Sequence, residues 1–446
     1  MKLVIIGGDA AGMSAASRAK RNLPDLDVTV LEQSSDVSYS ACGMPYNIAD
    51  LERDIDDLVV RHPHVFREKQ GIDLRTAHRA ESIERVAKIV VCRDPKGKKI
   101  RIPYDKLLFA MGASPVKPVL PGFDLPGVMV LKSLEDGRKI KDFIRYKDVK
   151  KVVIIGMGYI ALEMSEALRA RNIEVDMVKP RPVFLPRMDR RLTSIIKKEV
   201  ETHGVNVYSG HEIMGIERRN NMLNIICSDL ELEAGMVLVS IGVSPNSEIA
   251  ADAGIELGPS GSISVDRALR TSDNNIYSAG DCADAYHVVT GQKTWLPLAL
   301  RANRAGRAAA DNITGKGIEL QGVVGTSVFK VFDMQVAQTG LNMADAEKFG
   351  FEPEEVLIEN YSRAHAHSGG SQLSVQMVGD KKSGRLLGCQ IVGKEGAAHR
   401  INAPVVALHQ KMLVEDFGQC DLAYAPPFSP VWDPMLTAAN QLVKKM

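Results

Sequence analysis

One of the six cysteines stands in surroundings that suit redox chemistry. Cys42 lies within residues 38–46 (SYSACGMPY), and the following residues 46–51 can begin a helix. The partial positive charge at a helix N-terminus favours the thiolate, which is the nucleophilic form of cysteine. The other five cysteines, including Cys282 beside Asp281, lie in apolar or strand-like runs and are expected to be core residues. A single redox cysteine cannot form an intramolecular disulfide, so its oxidised form must be a sulfenic acid, or a mixed disulfide or persulfide with a small thiol.

A repeated glycine-rich segment points to nucleotide binding. Residues 2–12 (KLVIIGGDAAG) are echoed by residues 151–161 (KVVIIGMGYIA), and each copy continues into a helical stretch and a β-rich run. Each copy predicts a βαβ unit whose glycine turn holds a pyrophosphate at the start of its helix. Neither fingerprint is perfect, since Asp9 replaces the middle glycine of the first copy and Ala161 the third glycine of the second. The alternative is a pair of glycine turns without a ligand, which two copies in register disfavour.

The two copies differ at the end of their second strand. Glu32 lies about 20 residues after the last glycine of the first copy, where a carboxylate can accept hydrogen bonds from both hydroxyls of a ribose. The same register in the second copy gives Lys179, followed by Arg181, and cations there attract a 2′-phosphate. The first copy should therefore hold a nucleotide with a free ribose and the second NADPH, unless Lys179 and Arg181 are solvated loop charges.

Composition excludes several classes of protein. The chain has 446 residues with 56 Lys and Arg against 55 Asp and Glu, a balance that argues against a disordered or nucleic acid-binding protein. The apolar run at the N-terminus breaks at Gly7 after four residues, too short for a signal-peptide core or a membrane span. The cysteines show neither zinc spacing nor a disulfide framework, so we expect no metal and a cytoplasmic location.

Further motifs extend the pattern along the whole chain. They are residues 40–46 (SACGMPY), 107–115 (LLFAMGASP), 239–246 (VSIGVSPN) and 276–283 (IYSAGDCA). With the two glycine turns and Glu32, they resemble the FAD-dependent pyridine nucleotide-disulfide oxidoreductases. The single cysteine resembles the branch that contains coenzyme A-disulfide reductases, NADH oxidases and persulfide reductases.

This resemblance implies the architecture and the cofactors. The expected fold is α/β, with two doubly wound, Rossmann-like nucleotide-binding domains, the second inserted in the first, and a C-terminal α+β dimerisation domain. The implied boundaries are 1–118 and 248–324 for FAD binding, 119–247 for NAD(P) binding and 325–446 for dimerisation. The implied cofactors are FAD and either NADPH or NADH. The expected cofactor-binding residues are Gly7, Gly8, Ala10, Ala11, Gly12, Glu32, Ser40, Ala110, Gly112, Gly156, Gly158, Tyr159, Ile160, Glu163, Lys179, Gly242, Gly280, Asp281, Leu298 and Ala299.

Two carboxylates in that set have simpler alternatives. Asp281 follows an apolar strand, and its position predicts the N-cap of a helix with or without a flavin contact. Glu163 lies one turn into the second predicted helix, where the family has a carboxylate near the nicotinamide and flavin. A lone helical glutamate could equally lie on a solvated face.

The substrate implied by the resemblance is coenzyme A disulfide or a small persulfide or polysulfide. Arg18 and Arg21, three residues apart on the first helix, could bind the phosphates of a coenzyme A moiety, although a solvated basic helix end is the simpler alternative. The resemblance places substrate contacts near Ser14, Arg18, Arg21, Ser38, Arg61, Asn303 and Trp432.

A second catalytic residue is implied near the C-terminus. Residues 421–433 (DLAYAPPFSPVWD) are too rich in proline and aromatic residues for a helix. In the family this run crosses a homodimer, so that Tyr424 would lie over the partner subunit's Cys42, where a phenol can hydrogen-bond a leaving thiolate. A buried structural tyrosine is the alternative.

Two departures from the family bear on the reaction. The oxidases and peroxidases of the branch have a histidine in the first glycine loop where this chain has Ala10, which favours disulfide or persulfide reduction over oxygen chemistry. The alternatives are an NAD(P)H oxidase, and a reductase of a small electron-carrier protein in which Cys42 is dispensable. Ala366 and His367 stand where coenzyme A-disulfide reductases have two adjacent aromatic residues. On a strand His365 and His367 would share one face and could bind a metal or donate a proton, although a solvated strand edge is more common.

Overall fold

The computed structural model describes residues 1–446, and its first sheet, called here the outer sheet, is built from two separate parts of the chain. Its five parallel strands join residues near the N-terminus to a strand that follows residue 275. Their apolar residues are almost fully buried on both faces, as in a doubly wound sheet. The order across the sheet is Ile276–Ser278, Lys106–Phe109, Lys2–Ile6, Asp27–Leu31 and Asp73–Arg75.

A second parallel sheet, the inner sheet, is formed entirely by residues between 128 and 239. It repeats the βαβ arrangement of the outer sheet, with a strand and helix on each side of the second glycine turn. Its order is Val205–Ser209, Glu174–Lys179, Lys151–Ile155, Met236–Val239 and Val128–Met129. Because this sheet is formed between two parts of the outer sheet, the second nucleotide-binding fold is inserted in the first.

A short antiparallel ribbon joins the two folds. Residues Ala113–Pro115, where the chain leaves the outer fold, pair with Val243–Pro245, where it returns. The register pairs Pro115 with Val243 and Ala113 with Pro245. The two connections therefore lie side by side.

The C-terminal part forms a five-stranded antiparallel sheet with helices. The two central strands are almost completely buried, because helices cover the sheet and the inserted fold packs nearby. The order is Ser327–Val331, Met334–Gly340, Leu386–Gly393, Gln372–Asp380 and Pro353–Tyr361. This α+β arrangement agrees with the sequence expectation.

Three small antiparallel sheets complete the strands. They comprise Arg79–Glu84, Ile89–Arg93 and Lys99–Pro103; Ile213–Arg219, Met222–Cys227 and Glu231–Ala234; and Ala285–Tyr286 with Lys293–Thr294.

One helix beside the glycine turns begins with side-chain capping. Helix Leu134–Lys147 begins with a capping box, in which Ser133 accepts from the Asp136 N–H and Asp136 accepts from the Ser133 N–H. The α-helices are Ala10–Asn22, Met44–Ile48, Leu134–Lys147, Tyr159–Arg169, Arg190–Thr202, Glu248–Asp252, Ala299–Ile313, Met343–Lys348, Ala397–Arg400, Asn402–His409, Val414–Gly418 and Pro434–Val443. None of them combines the length and hydropathy that a membrane span requires.

Candidate active site

The first glycine turn is packed so tightly that only glycine fits. Gly7 has φ +110°, and a Cβ built on it would lie 2.1 Å from the Ala110 carbonyl oxygen. A Cβ on Gly12 would lie 1.9 Å from the Gly7 oxygen, because helix Ala10–Asn22 leaves directly over the turn. Nearby Gly112 has φ +69°, and a Cβ built on it would have no atom within 4 Å, which leaves room for a ligand.

Glu32 lies where the sequence predicts a ribose acceptor. One carboxylate oxygen accepts from the Gly8 N–H at 2.7 Å, and the other accepts from the N–H and hydroxyl of Ser34 at 2.7 and 2.8 Å. These bonds fix the carboxylate beside the first glycine turn and leave lone pairs for further donors. The turn and Glu32 together fit the adenosine part of FAD.

Asp9 has a different role from the middle glycine that it replaces. It occupies the N-cap position of helix Ala10–Asn22, but its side chain accepts from the Tyr39 N–H at 3.2 Å instead of from the helix. Burial raises the pKa of Asp9 to about 6, and the nearby carboxylates of Glu32 and Asp281 act in the same direction. Asp9 therefore joins the first glycine turn to the segment that carries Cys42.

The second glycine turn contains both a packed and an open glycine. Gly156 has φ +121°, and a Cβ there would lie 2.1 Å from the Ser240 carbonyl oxygen. Gly158 and Gly242 have no atom within 4 Å of their Cβ directions, so a pyrophosphate and its sugar can approach the backbone. Ala161 is fully buried in the helix, which explains why it is tolerated as the third residue of the fingerprint. Tyr159 and Ile160 are exposed at the start of this helix.

The Lys179 ammonium is already hydrogen-bonded within the chain. Its ammonium donates to the Val183 carbonyl oxygen at 2.7 Å, and burial lowers its pKa. Arg181, two residues later, is exposed and has no ion-pair partner in the structure. Arg181 is thus the better-placed cation for a 2′-phosphate.

Cys42 is exposed in a single 3₁₀ turn, Ala41–Gly43. The helix after it is Met44–Ile48, which begins two residues before the expected start. Partial burial and the Glu163 carboxylate raise the pKa of Cys42, while Lys132 opposes them. A thiolate favoured by the helix start and an oxidised isoalloxazine stays a prediction. The expectation for the other cysteines holds, because four are buried and Cys420 is half-buried.

A tyrosine that the sequence analysis did not select holds Glu163. The Tyr46 hydroxyl donates to Glu163 Oε1 at 3.0 Å, joining the Cys42 segment to helix Tyr159–Arg169. Burial raises the pKa of Glu163. Glu163 is thus half-buried beside Cys42, not on a solvated face. Tyr46 belongs to the same short motif as Cys42, so its proximity in sequence is a signal that could have identified it.

The prediction that Asp281 starts a helix is wrong. Gly280, with φ +84°, leads into a turn, and the helix begins only at Ala299, with Leu298 at its N-cap. Asp281 instead pairs with Lys132 at 3.1 Å, and its carbonyl oxygen accepts from the Trp295 Nε1–H at 2.7 Å. Lys132 lies far away in sequence, and no local pattern could have identified it.

The proposed substrate residues fall into two pairs and several isolated positions. The Ser14 hydroxyl donates to Asn303 Oδ1 at 2.7 Å, and the Arg61 N–H donates to the Ser38 oxygen at 3.4 Å. Arg18 is already engaged, because its guanidinium donates two bonds to Asp311, at 2.8 and 3.2 Å. Asp311 thus holds the Arg18 guanidinium in place, and its contact with substrate phosphate stays a prediction. The remaining substrate residues, Arg21 and Trp432, are exposed, Trp432 at 62 %, and so is the candidate catalytic Tyr424 at 48 %.

The histidine pair does not lie on a strand. His365 and His367 occupy a turn after strand Pro353–Tyr361, so the prediction of a shared strand face is wrong. A different group brings ligand atoms within 4.8 Å of one another, formed by Glu199, His203 and Asp333. The Lys394 ammonium already pairs with Asp333 at 3.0 Å, which argues against a cation there.

Comparisons with known proteins agree with this geometry. A family profile described as pyridine nucleotide-disulphide oxidoreductase matches residues 1–306, and its dimerisation domain matches residues 326–435. The chain is 38 % identical over 442 residues, 99 % of each sequence, to a CoA-dependent NAD(P)H sulfur oxidoreductase of Pyrococcus furiosus. It is 32 % identical over 447 residues, 100 % of this chain and 99 % of the other, to an NADH oxidase of Methanocaldococcus jannaschii.

A solved structure gives the same result. The NAD-dependent persulfide reductase of A. fulgidus superposes with a TM-score of 0.96 and 35 % identity, covering 100 % of this chain and 83 % of that one. On the family profiles and on relatives aligned over nearly their whole length, the chain belongs to the pyridine nucleotide-disulphide oxidoreductases.

Proposed function

We propose that the chain passes electrons from NAD(P)H through FAD and Cys42 to coenzyme A disulfide or to a low-molecular-weight persulfide or polysulfide. The observation that carries this proposal is the environment of Cys42. It is the one exposed cysteine, and it lies beside Glu163 and the Lys132–Asp281 pair. The names of the P. furiosus and A. fulgidus relatives support a sulfur substrate.

The residues that hold the cofactors divide between the two glycine turns. The first turn, with Glu32, Gly112 and Asp281, would bind FAD, and the second turn, with Gly242, would bind the pyridine nucleotide. When bound, FAD supplies two-electron chemistry between the nicotinamide and a sulfur atom. Both glycine turns belong to the same chain, and the two connections of the inserted fold lie side by side, so no partner protein is needed to supply either turn.

Cys42 performs the sulfur chemistry. Its thiolate attacks one sulfur of a disulfide R–S–S–R, forming a mixed disulfide with Cys42 and releasing one thiolate, which takes up a proton. Two electrons and one proton then cleave the mixed disulfide, releasing the second thiol and restoring the Cys42 thiolate. Glu163, whose pKa is raised and which accepts from Tyr46, supports this step because it can keep a proton close to the sulfur.

A homodimer would complete the site. The dimerisation domain supports self-association, and Tyr424 and Trp432 lie exposed on an irregular segment of that domain. Tyr424 would reach the partner subunit and hydrogen-bond the thiolate leaving Cys42. Substrate would contact Ser14, Asn303, Ser38, Arg61 and Arg21, with Trp432 from the partner. Arg18, oriented by its ion pair with Asp311, would add a contact to the phosphates of a coenzyme A moiety.

The test is a Cys42→Ser variant, with Cys420→Ser as the matched control at another thiol that reaches solvent. Both should purify yellow with FAD, and only Cys42→Ser should lose NAD(P)H-dependent reduction of coenzyme A disulfide and polysulfide. Oxygen uptake is measured on the same samples. Disulfide turnover that survives Cys42→Ser refutes the proposal. Dominant oxygen consumption by the unmodified enzyme would favour an oxidase, and reduction of a small iron–sulfur protein by Cys42→Ser would favour an electron-carrier reductase.

A further inference from the structure

Lys141 is a buried cation without a carboxylate partner. It is 8 % exposed, and its ammonium donates only to neutral oxygens: Asn47 Oδ1 at 2.8 Å, the Asp50 carbonyl at 2.9 Å, the Asn47 carbonyl at 3.3 Å and the Arg53 carbonyl. A buried lysine is rare unless paired, so its desolvation must be offset by this cage of oxygens. Every atom of the cage belongs to the segment that follows Cys42.

The same helix contacts this segment along one whole face. In helix Leu134–Lys147, a Cβ built on Gly137 would lie 2.3 Å from Ile55 Cδ1, so the segment packs directly on the helix backbone. Arg138 donates to Asp56 Oδ1 at 3.2 Å, and Arg145 donates to the Leu51 carbonyl oxygen at 2.9 Å.

A second helix of the inserted fold also contacts the segment that follows Cys42. Arg171, just after helix Tyr159–Arg169, donates to the Ile48 carbonyl oxygen at 3.3 Å, and Glu163 within that helix accepts from Tyr46. Three cations, Lys141, Arg145 and Arg171, thus surround the carbonyl end of helix Met44–Ile48, where positive charge is favourable.

The opposite side of Cys42 is fixed by the outer fold. The Ser38 N–H donates to the Gly8 carbonyl oxygen at 3.2 Å, and the Tyr39 N–H donates to Asp9 Oδ1 at 3.2 Å. Cys42 therefore lies on a turn anchored by the outer fold before it and by the inserted fold after it. Of the anchors on the inserted side, Lys141 is the most buried, and all of its hydrogen bonds go to residues 47–53.

We propose that Lys141 is a positioning residue for Cys42: its ammonium holds residues 47–53 and so keeps the thiol beside Glu163. This inference rests on the proposed function for its catalytic consequence, although the placement of the thiol can be measured without turnover. The inserted nucleotide-binding fold would then set the position of the thiol that receives the electrons from its nucleotide.

The experiment compares Lys141→Met, which keeps the length of the side chain but removes the ammonium, with Arg145→Met on the exposed part of the same helix. We expect amide hydrogen exchange in residues 44–54 to accelerate at least about tenfold in Lys141→Met, because several hydrogen bonds to a charged group are lost. Alkylation of Cys42 by iodoacetamide should change by at least about threefold, with a shifted pH profile. Arg145→Met should change both readouts by less than about twofold, because it removes one exposed bond.

Enzyme kinetics then separate positioning from general damage. In Lys141→Met, flavin reduction by NADPH in a stopped-flow experiment should stay near the rate of the unmodified protein, while turnover of coenzyme A disulfide falls about tenfold. Equal losses in both steps, or unchanged alkylation and amide exchange, overturn the proposal. If Lys141→Met does not fold, Lys141→Gln, whose amide can keep two of the bonds, is measured in the same way and should show smaller changes in the same direction.

The alkylation and exchange readouts also keep this proposal distinct from the proposed function. If Cys42→Ser retains disulfide turnover, the proposed function fails, whereas a loosened Cys42 segment in Lys141→Met still supports the positioning role. If Cys42→Ser loses turnover and Lys141→Met leaves the segment unchanged, only the positioning role fails.

Discussion

The two glycines of the second turn provide a paired test of nucleotide binding. Gly156 has a positive φ, and a Cβ there would lie 2.1 Å from the Ser240 oxygen, so Gly156→Ala should strain the fold itself. Backbone strain of about 1–3 kcal/mol and an overpacking cost of about 1–3 kcal/mol sum to about 2–6 kcal/mol, a large part of ordinary protein stability. We expect Gly156→Ala to melt at a clearly lower temperature or to accumulate poorly.

Gly158→Ala should behave in the opposite way. Gly158 has φ −90° and ψ −172°, which any residue adopts, and no atom lies within 4 Å of its Cβ direction. The free chain should therefore melt at the same temperature or slightly higher, since alanine restricts the unfolded chain. In the complex the methyl group would hold the pyrophosphate away from the backbone. Loss of one charged hydrogen bond, about 1.5–3 kcal/mol, raises the dissociation constant about 10–100-fold.

The assay combines thermal melting with titration of NADPH and NADH by nucleotide fluorescence. FAD content should be unchanged in Gly158→Ala, because the first turn is intact. An affinity within about twofold of the unmodified protein would show that the second turn does not hold the pyrophosphate, and would refute the assignment of both glycines.

Three further outcomes follow from charges near the two turns. Asp9→Asn should raise the free energy of unfolding of the flavin-free chain at pH 7 by about 2–3 kcal/mol. Because the pKa of Asp9 is raised to about 6 in the folded chain, its neutral carboxyl stabilises the fold below about pH 4, and this contribution is lost as pH rises through 6. Denaturant titrations from pH 4 to 7 check this, and parallel pH curves for the two proteins would contradict it. Glu163→Gln should lower the pKa of Cys42 and speed its alkylation at pH 7 about three- to tenfold, since a like charge is removed; an unchanged pH profile of alkylation would exclude the coupling. Arg181→Glu should raise KM for NADPH about tenfold or more and leave KM for NADH nearly unchanged. The reason is that the neighbouring Lys179 ammonium is already bonded to the Val183 carbonyl oxygen, which leaves Arg181 as the cation for the 2′-phosphate. Equal changes of KM for both nucleotides would show that Arg181 does not contact the 2′-phosphate.

The residues that could be predicted from the sequence are those whose chemistry is local. The two glycine turns and Glu32 lie within βαβ units of about 30 residues, and the backbone geometry of such a unit is nearly invariant. Cys42 could be recognised because its motif is continuous. The single-cysteine branch and the insertion of one fold in another were implied by the family resemblance that motifs along the whole chain carry. The named relatives confirm the branch, and the two sheets confirm the insertion.

The errors arose where distant residues decide the outcome. Asp281 looked like an N-cap, but Gly280 turns the chain and Lys132 supplies the charge that Asp281 meets. The ion pair of Arg18 with Asp311 of helix Ala299–Ile313 could not be predicted either. The pKa of Cys42 could not be read from helix position alone, because the Glu163 carboxylate comes from another domain. Local patterns carry no information about such partners.

The short ribbon between the two folds acts as a fixed spacer. Gly112 immediately precedes strand Ala113–Pro115, and Gly242 immediately precedes Val243–Pro245, so in the antiparallel register the two open glycines lie at opposite ends. Three extended residues span about 10 Å at about 3.3 Å per residue. The covalent chain thus sets the distance between the two glycines: lengthening both strands by two residues would move them apart by about 7 Å while leaving each fold intact. The six residues of the ribbon therefore set the distance between Gly112 and Gly242, although none of them belongs to a glycine fingerprint.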